Sequence, residues 1–291
     1  MSEYPFDWVD AFTDTAFAGN GCAVVYDEGE LSSDVCLRYT KETGLVECTF
    51  IGPSDVADLK VRYFLASHEI AFAGHPTVAS VRSALARGRV SGPRLTLETG
   101  AGIITVDVSD DNWITMTQNA PVFGQVVPLE RVAEVVGLDE NDIVGLPQVV
   151  STGLPFVITV VRDHAALRRA KMNASAMEAF QNAVSFEGKP VMEPYLVSLN
   201  GATAEGDTFS RLLMKPPSPK EDPFTGSATG CAAAYLWHHG LIKSPSYCAE
   251  QGHDMGRPGL ARVEVLGPRD AITGVKVAGQ GRIVMRGTML P

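Results

Sequence analysis

The sequence predicts an α+β protein built from two similar domains, and three observations support this fold class. Short β-rich runs such as CAVVYD, VRYFLA, RLTLET, PFVITVVR and YLVSLN recur along the chain, with turn residues between them. Helical patterns are fewer and fall at about residues 31–43, 76–87, 129–136, 164–183 and 228–239. In addition, one order of helix and strands occurs twice. We therefore expect mostly antiparallel strands and two related domains.

The repeated order begins with two helix-like stretches of equal length, each bounded by glycine. GHPTVASVRSALARG runs from Gly74 to Gly88, and GSATGCAAAYLWHHG runs from Gly226 to Gly240. At the same distance after each stretch comes a glutamate, followed by a strand pattern, GIITVDV in one copy and GLARVEV in the other. The shared order of helix, glutamate and strand favours a duplication over a coincidence of glycine spacing.

The duplication predicts where the domains end. The first domain is expected to span residues 1–118 and the second residues 119–280. We leave open whether the last strand, in residues 281–291, returns to the first domain. A cleft between two such domains is the usual place for a small ligand, and we expect the ligand site there.

Composition excludes several classes of function. The 291 residues are 45% hydrophobic and 20% charged, with a net charge of -10, which repels phosphate backbones and anionic lipid. The first residues lack the pattern of a signal peptide, and no apolar run is long enough to span a membrane. Five cysteines without CxxC and six histidines without HExxH indicate neither disulfides nor a metal site. We expect a cytoplasmic protein with no nucleic-acid, membrane or metal partner.

The two repeated helices are predicted to be buried, with their N-termini available to an anion. TGCAAAYLW is apolar or small almost all round, as expected for a helix enclosed by a curved sheet. Each helix begins in a small polar turn, Gly74-His75-Pro76 or Gly226-Ser227, the latter at a predicted N-cap. Free N–H groups and the helix dipole at such an end bind carboxylates. Ordinary capping without a ligand is the alternative.

Six segments resemble one known family. They are VDAFTDTAFAGNGCAVV, VECTFIGP, FAGHPTVAS, STGLPFVITVVRD, EDPFTGSATG and QGHDMGRPG. In this order, over nearly the whole chain, they are similar to the phenazine-biosynthesis PhzF-like family. The resemblance implies the diaminopimelate-epimerase-like fold, with two pseudo-symmetric domains that each wrap a mostly antiparallel sheet around a central apolar helix.

The resemblance also implies an activity and a set of site residues. The member that gives the family its name isomerises a dihydro-hydroxyanthranilate by moving a proton without metal or organic cofactor. The resemblance implies the same type of reaction here, on a small cyclic or unsaturated carboxylate of that kind. Matching positions imply Glu47, His75 and Asp222 as catalytic residues. The implied substrate-binding residues, which hold the substrate carboxylate through backbone groups, are Gly74 with His75, and Gly226 with Ser227.

The sequence departs from the family pattern near these positions. Val46 precedes the glutamate where serine is common, Asn20-Gly21-Cys22 replaces Asn-Pro-Ala, and Phe224 replaces a common alanine. Val46 and Phe224 are adjacent in sequence to the implied catalytic residues. They bear on which substrate is accepted more than on the type of reaction.

Each implied catalytic residue also has a purely structural interpretation. Glu47 lies in the strand pattern LVECTFI, where a charged residue between apolar neighbours can simply face solvent. As an acid/base catalyst it would instead be buried, because burial raises the pKa of a carboxyl group toward neutrality. His75 can be simply a residue of the turn at the helix N-terminus, or it can hydrogen-bond the substrate or relay a proton. Asp222, which precedes Pro223, can only order the turn, or it can bind ligand or relay a proton. The role of Arg257 in MGRPG is left open.

Ser227 and Cys231 are residue types that can act as nucleophiles, but the sequence argues against that role for both. Ser227 has no GxSxG pattern around it, so it is predicted to bind rather than attack. Cys231 falls inside the predicted helix and is expected to be buried.

The number of acid/base groups distinguishes the candidate reactions. Epimerisation requires one group on each face of a carbon, and relatives of this fold use paired cysteines, but neither opening turn here contains cysteine. A proton shift along a conjugated system needs only one group. The sequence therefore favours a proton-shifting isomerase. There are two alternatives: a non-catalytic small-carboxylate binding or regulatory protein, and an epimerase or racemase of the same fold. Whether the protein forms a homodimer is left open.

Overall fold

A computed structural model describes residues 3–29, 31–216 and 218–291 of the chain. Residues 1 and 2, with which the predicted first domain begins, lie outside the described residues. The chain divides into two compact units, Met1–Met116 with Ala278–Pro291, and Thr117–Val277. Each unit contains both strands and helices.

The strands are short. In chain order they are β1 (Tyr4–Ala11), β2 (Asn20–Tyr26), β3 (Glu47–Gly52), β4 (Leu59–Leu65), β5 (Glu69–Ile70), β6 (Arg94–Thr99), β7 (Gly102–Val108), β8 (Ile114–Gln118), β9 (Val122–Val126), β10 (Ile143–Ser151), β11 (Pro155–Val161), β12 (Ser185–Phe186), β13 (Lys189–Pro190), β14 (Pro194–Ser198), β15 (Thr208–Leu213), β16 (Glu221–Asp222), β17 (Ser246–Gln251), β18 (Gly259–Leu266), β19 (Gly274–Gly279) and β20 (Gly281–Met289).

Helices are fewer than strands. They are α1 (Ser33–Thr43), α2 (Gly74–Ala86), α3 (Leu129–Val136), α4 (His164–Arg169), α5 (Ala174–Ala183) and α6 (Gly226–His238), with short 3-10 turns at Glu140–Asp142 and His253–Met255. The predicted α+β class is confirmed by this mixture.

The first unit forms its sheet in a fixed order of pairings. β1 and β2 are antiparallel, β2 and β3 parallel, β3 and β4 antiparallel, β4 and β6 parallel, and β6 and β7 antiparallel. β20 pairs antiparallel with β1. Parallel neighbours need a crossover connection, and α1 and α2 supply the two crossovers. α2 packs against β1, β2, β3 and β20.

The second unit repeats the same order of pairings. β10 and β11 are antiparallel, β11 and β14 parallel, β14 and β15 antiparallel, β15 and β17 parallel, and β17 and β18 antiparallel. α6 is the crossover between β15 and β17, as α2 is between β4 and β6, and it packs against β10, β11, β14 and β18. The matching order shows that the two units share one topology.

Small side chains allow the sheet to enclose each central helix. In α6 nearly every residue is buried, and most are alanine, glycine, serine, threonine or cysteine. A Cβ on Gly230 would lie 1.8 Å from Oε1 of Gln118, so only glycine fits there without a shift. The close contact between helix and sheet therefore depends on the small residues of this stretch.

The single helix predicted over residues 164–183 is wrong, because the chain breaks into α4 and α5. The backbone N–H of Lys171 donates to the carbonyl of Val136, and that of Asn173 donates to the carbonyl of Val135. The Asn173 side chain then caps α5 by accepting from the N–H of Ala176. Hydrogen bonds to the end of α3 thus replace the intrahelical bonds of the predicted segment.

The central helices begin two residues earlier than predicted. α2 starts at Gly74 and α6 at Gly226, so the N-caps are Ala73 and Thr225, and the predicted N-cap at Gly226-Ser227 is wrong. Pro76 is compatible with the earlier start, because the N–H groups of a first helical turn have no intrahelical partner. His75 is consequently the second residue of a buried helix.

A buried carboxylate joins three elements of the first unit. Asp7 of β1 is fully buried, and Arg87, just after α2, binds both of its oxygens at 2.6 and 3.0 Å. Ser83 Oγ donates to Asp7 at 2.7 Å, and Tyr26 OH lies 2.6 Å from Ser83 Oγ. The network fixes the C-terminal end of α2 against β1 and β2.

Replacing Asp7 by alanine is expected to lower the free energy of unfolding by about 2–4 kcal/mol, because a buried, multiply bonded pair is broken. Asp34→Ala is the matched control, since Asp34 and Arg38 form a pair that is about three-quarters exposed. That control should change stability by less than about 1 kcal/mol. Equal losses in the two variants, measured by urea unfolding, would contradict the assignment.

Candidate active site

Glu47 and His75, distant in sequence, lie next to each other in the first unit. Glu47 is the first residue of β3 and His75 the second residue of α2. Glu47 Oε2 is 3.5 Å from His75 Nδ1, with 14% of the Glu47 side chain and 5% of the His75 side chain exposed. The packing of α2 against β3 brings the two groups together.

Asn20 is a third member of this cluster. Its Nδ2 lies 3.2 Å from His75 Nδ1, and its side chain is buried. Asn20 begins β2, which runs parallel to β3, so both strands start beside the N-terminal turn of α2. Sequence reasoning noted Asn20 only as part of a departure from the family pattern.

Burial keeps His75 neutral. It lowers the pKa of His75 from 6.5 to about 3, because the charged imidazolium would lose its hydration. The contact between Glu47 and His75 is therefore not an ion pair at neutral pH. In this site the imidazole acts as a polar, uncharged group.

One nitrogen of the His75 ring is unpaired within the described part of the chain. Nε2 is buried and has no hydrogen-bond partner among the residues that the structure describes. Leaving a buried polar atom unpaired costs about 1–3 kcal/mol, so such atoms are uncommon and often mark a binding site. The open nitrogen belongs to the helix end that sequence reasoning assigned to an anion.

The N-terminus of α2 favours negative charge. Its N-cap is Ala73, which has no polar side chain to satisfy the first-turn N–H groups. The carbonyl of Ala73 accepts from Thr77 Oγ1 at 2.7 Å, and Tyr63 OH lies 2.7 Å from the same hydroxyl. These bonds fix the turn, and the positive end of the helix dipole lies at Gly74.

The second unit braces its helix end in the same way. Thr229 Oγ1 donates to the carbonyl of Thr225 at 2.9 Å, and Tyr195 OH lies 3.2 Å from that hydroxyl. Thr77 and Thr229 occupy the same position in GHPT and GSAT, counted from the first glycine. This shared threonine was a readable sign of the duplication that sequence reasoning missed.

Asp222 lies in a buried network with Gln251. Thr225 Oγ1 donates to Asp222 Oδ2 at 2.6 Å, and Gln251 Nε2 donates to the Asp222 carbonyl at 2.7 Å. Gln251 Oε1 accepts from the N–H of Thr225 at 3.0 Å. Gln251, which sequence reasoning did not single out, therefore fixes the turn that carries Asp222.

The remaining residues of the second turn differ in exposure. Gly226 is buried, and its carbonyl accepts from Gln118 Nε2 at 2.9 Å, whereas Ser227 is half-buried. Phe224 is fully buried. Arg257 is half-buried in its loop, where its backbone N–H donates to the carbonyl of Gly252 at 3.1 Å. The influence of Phe224 on substrate choice stays a prediction, and no role is assigned to Arg257.

The cysteines lack the character of acid/base catalysts. Cys231 lies inside α6, where burial raises the pKa of its thiol to about 11 and Thr152 Oγ1 lies 3.3 Å from Sγ. Burial also raises the pKa of Cys48 to about 11 and that of Cys36 to about 12. Cys22 is fully buried as well, and burial raises the pKa of its thiol well above the usual value.

Neither a metal-binding cluster nor a membrane-spanning helix is present within residues 3–29, 31–216 and 218–291. No group of three or more His, Cys, Asp or Glu side chains could hold a metal ion in that part of the chain. No helix there has the length and apolar character required to cross a bilayer.

Comparison with known families matches most of the chain. The sequence model of the family described as phenazine biosynthesis-like protein, PhzC-PhzF, matches residues 9–287. The chain belongs to this family. The resemblance seen in the six sequence segments is thereby confirmed.

Relatives in this family are named as isomerases. An uncharacterized isomerase of Clostridium acetobutylicum is 26% identical, over 100% of this chain and 99% of its own. The trans-2,3-dihydro-3-hydroxyanthranilate isomerase of Pseudomonas chlororaphis is 28% identical, over 97% of this chain and 98% of its own. The predicted enzyme class is confirmed: the protein is an isomerase of the PhzF family.

Solved structures confirm the fold. The phenazine biosynthesis protein of the PhzF family from Bacillus anthracis superposes with a TM-score of 0.87 at 26% identity, covering 100% of both chains. A hydroxyproline epimerase from Agrobacterium vitis superposes with a TM-score of 0.62 at 13% identity, covering 98% of this chain and 92% of that one. The second likeness concerns the fold alone and agrees with the predicted epimerase-like architecture.

The depressed pKa of His75 predicts a specific loss of stability in acid. Below pH 6.5 the unfolded chain binds a proton at His75 that the folded chain does not bind until about pH 3. Stability from this group therefore falls by about 1.4 kcal/mol per pH unit through that window. In His75→Gln, the loss of unfolding free energy between about pH 7.5 and 5 should be smaller by about 2 kcal/mol.

The exposed His68 provides the control for this measurement, because its imidazole stays in water. His68→Gln should follow the parent protein at every pH. A parent-like acid response in His75→Gln would show that His75 is protonated in the folded state.

Thiol labelling tests whether the cysteines are sequestered. Cys22, Cys36, Cys48 and Cys231 are buried, and Cys248 is half-buried. The native protein should react with a water-soluble disulfide reagent at no more than one thiol, and at five after unfolding. Rapid reaction of a second native thiol would revive a cysteine-based mechanism.

Proposed function

We propose that this protein isomerises a small cyclic or unsaturated carboxylate by shifting a proton, with Glu47 as the single acid/base group and without metal or organic cofactor. The observation that supports this most directly is the Glu47 carboxylate beside a neutral, buried His75 whose Nε2 is open. A carboxyl group in a nearly buried position, next to a polar donor, suits proton transfer to and from carbon.

A single base limits the reaction type. A base that removes a proton from an activated C–H and returns it to another carbon on the same face needs no partner acid. Inversion at one carbon would need a second group on the opposite face. The burial and raised pKa values of the cysteines support the shift over a cysteine-based epimerisation.

The substrate class follows from the charge of the helix ends and from the relatives. First-turn N–H groups at Gly74, with the helix dipole, favour a carboxylate. The Pseudomonas chlororaphis relative is named for trans-2,3-dihydro-3-hydroxyanthranilate, a cyclic amino carboxylate, at 28% identity. We propose a compound of that kind for this protein, with the natural substrate defined by residues such as Val46 and Phe224.

Gly226, Ser227 and Asp222 are proposed to act in binding. α6 presents a second helix N-terminus at Gly226, and the half-exposed Ser227 offers a hydroxyl. Asp222 shares its carboxylate with Thr225 Oγ1, a bond that orders the turn, so it is better suited to orient a polar group than to carry the proton. Cytoplasmic location and a homodimer stay predictions.

Deuterium exchange tests the proposal. The protein is incubated in D2O with a panel of cyclic and unsaturated carboxylates that includes trans-2,3-dihydro-3-hydroxyanthranilate, and incorporation at carbon is followed by mass spectrometry. At least one compound should exchange. Glu47→Gln should lower the exchange rate at least about 100-fold, because the base is lost, while the dissociation constant of that compound changes little.

Glu69→Gln is the matched control, because Glu69 pairs with Arg62 near the surface. It should exchange like the parent protein. Unchanged exchange in Glu47→Gln would refute the assignment of the base. Binding of a panel compound without exchange by the parent protein would favour the alternative, a small-carboxylate binding or regulatory protein.

A further inference from the structure

Asn20 makes a contact that bears on the protonation of His75. The amide nitrogen Nδ2 of Asn20 lies 3.2 Å from His75 Nδ1. An amide NH2 group can only donate a hydrogen bond, so the ring nitrogen opposite it must accept. A neutral imidazole that accepts at Nδ1 carries its proton on Nε2.

We propose that Asn20 is a positioning residue that holds His75 in the tautomer with the proton on Nε2, so that His75 offers a fixed N–H donor to the ligand. The tautomer is a property of the protein alone. Its consequence for catalysis rests on the proposed isomerase function, in which His75 contacts the substrate.

The competing tautomer has a poorer partner. A proton on Nδ1 would have Glu47 Oε2 as its acceptor at 3.5 Å, beyond the usual range of about 2.7–3.2 Å for N–H···O bonds. That N–H group would also point at the NH2 group of Asn20, so that two donors would face each other. The geometry around Nδ1 therefore favours an acceptor nitrogen.

The position of Asn20 is well determined by the fold. It closes the hairpin of β1 and β2 opposite Ala11, and it is 2% exposed. The next residue, Gly21, lies close to the Trp8 indole and Leu45, and a Cβ there would lie 3.1 Å from Trp8 Nε1. Strand pairing and this close packing hold the amide at the N-terminal turn of α2.

The tautomer separates the two roles that the sequence left open for His75. A neutral imidazole with its proton on Nε2 and its other nitrogen occupied by Asn20 is a hydrogen-bond donor, and it has no vacant nitrogen with which to relay a proton. Nε2 is the atom that is buried and unpartnered in the described part of the chain. In the proposed reaction His75 therefore binds the ligand, and Glu47 transfers the proton.

Nitrogen NMR measures the tautomer directly. Long-range 1H–15N correlation spectra of protein labelled with 15N-histidine distinguish protonated from unprotonated ring nitrogens, and His75→Gln identifies the His75 signals by their loss. Two other histidines provide references, because a carbonyl oxygen can only accept. His164 Nε2 lies 2.8 Å from the Asn200 carbonyl, and His238 Nδ1 lies 2.8 Å from the Arg269 carbonyl.

His75 is expected to show the pattern of His164, with the proton on Nε2. Asn20→Leu keeps the approximate shape of the side chain and removes its NH2 donor. Glu47 then becomes the nearest partner of His75 Nδ1, so the His75 signals should shift toward the pattern of His238. Asn20→Ala tests the same point if the leucine variant does not fold. In the exchange assay, kcat/KM should fall at least about tenfold, because the donor is no longer fixed.

Asn112→Gly is the control, because Asn112 is exposed in a turn with a positive φ of 62°, which glycine tolerates. It should leave the His75 signals and the exchange rate unchanged. A His75 proton on Nδ1 in the parent protein, or an unaltered His75 pattern in both Asn20 variants, would overturn the inference.

The two proposals can fail separately. If no panel compound exchanges, the spectra still decide the tautomer. If exchange depends on Glu47 while His75 carries its proton on Nδ1, the isomerase function stands and the role of Asn20 is wrong.

Discussion

The burial of α2 within the sheet of its own unit determines the chemistry of the site. A helix enclosed by strands must be made of small and apolar residues, and its first turn must end in unsatisfied N–H groups. His75 is the second residue of that helix, so it loses its hydration together with the helix. Burial of the helix in the core therefore keeps the imidazole uncharged. The positive potential available to a ligand then comes from the helix dipole.

The division of labour between the polar groups follows from that loss of charge. With His75 neutral and its Nδ1 facing Asn20, the Glu47 carboxylate is the group of this cluster that we propose accepts and returns the proton. In the second unit, Asp222 is bound by the Thr225 hydroxyl and its turn is braced by Gln251, an arrangement that suits orientation more than proton transfer. The threonine that braces each central helix, Thr77 or Thr229, keeps the two helix ends alike.

Local sequence patterns predicted the parts of the fold that depend on short segments. The α+β class and the central helices follow from the repeat and from apolar runs, and the family follows from its motifs. Long-range contacts were not predictable: α4 and α5 separate because residues 171 and 173 bond to the end of α3. The contacts of Asn20 with His75 and of Gln251 with Thr225 likewise join residues that are far apart in sequence. A single sequence carries no signal for such pairs.

In the proposed reaction one group, Glu47, removes the proton and returns it to the same molecule. The most direct measurement is a single turnover in H2O with a panel carboxylate that the protein isomerises, deuterated at the activated carbon. Part of the product should carry the substrate's own deuterium at the new carbon, because a single carboxyl group can return it before it exchanges with solvent. Isomerisation with undiminished transfer of that deuterium in Glu47→Gln would contradict the assignment.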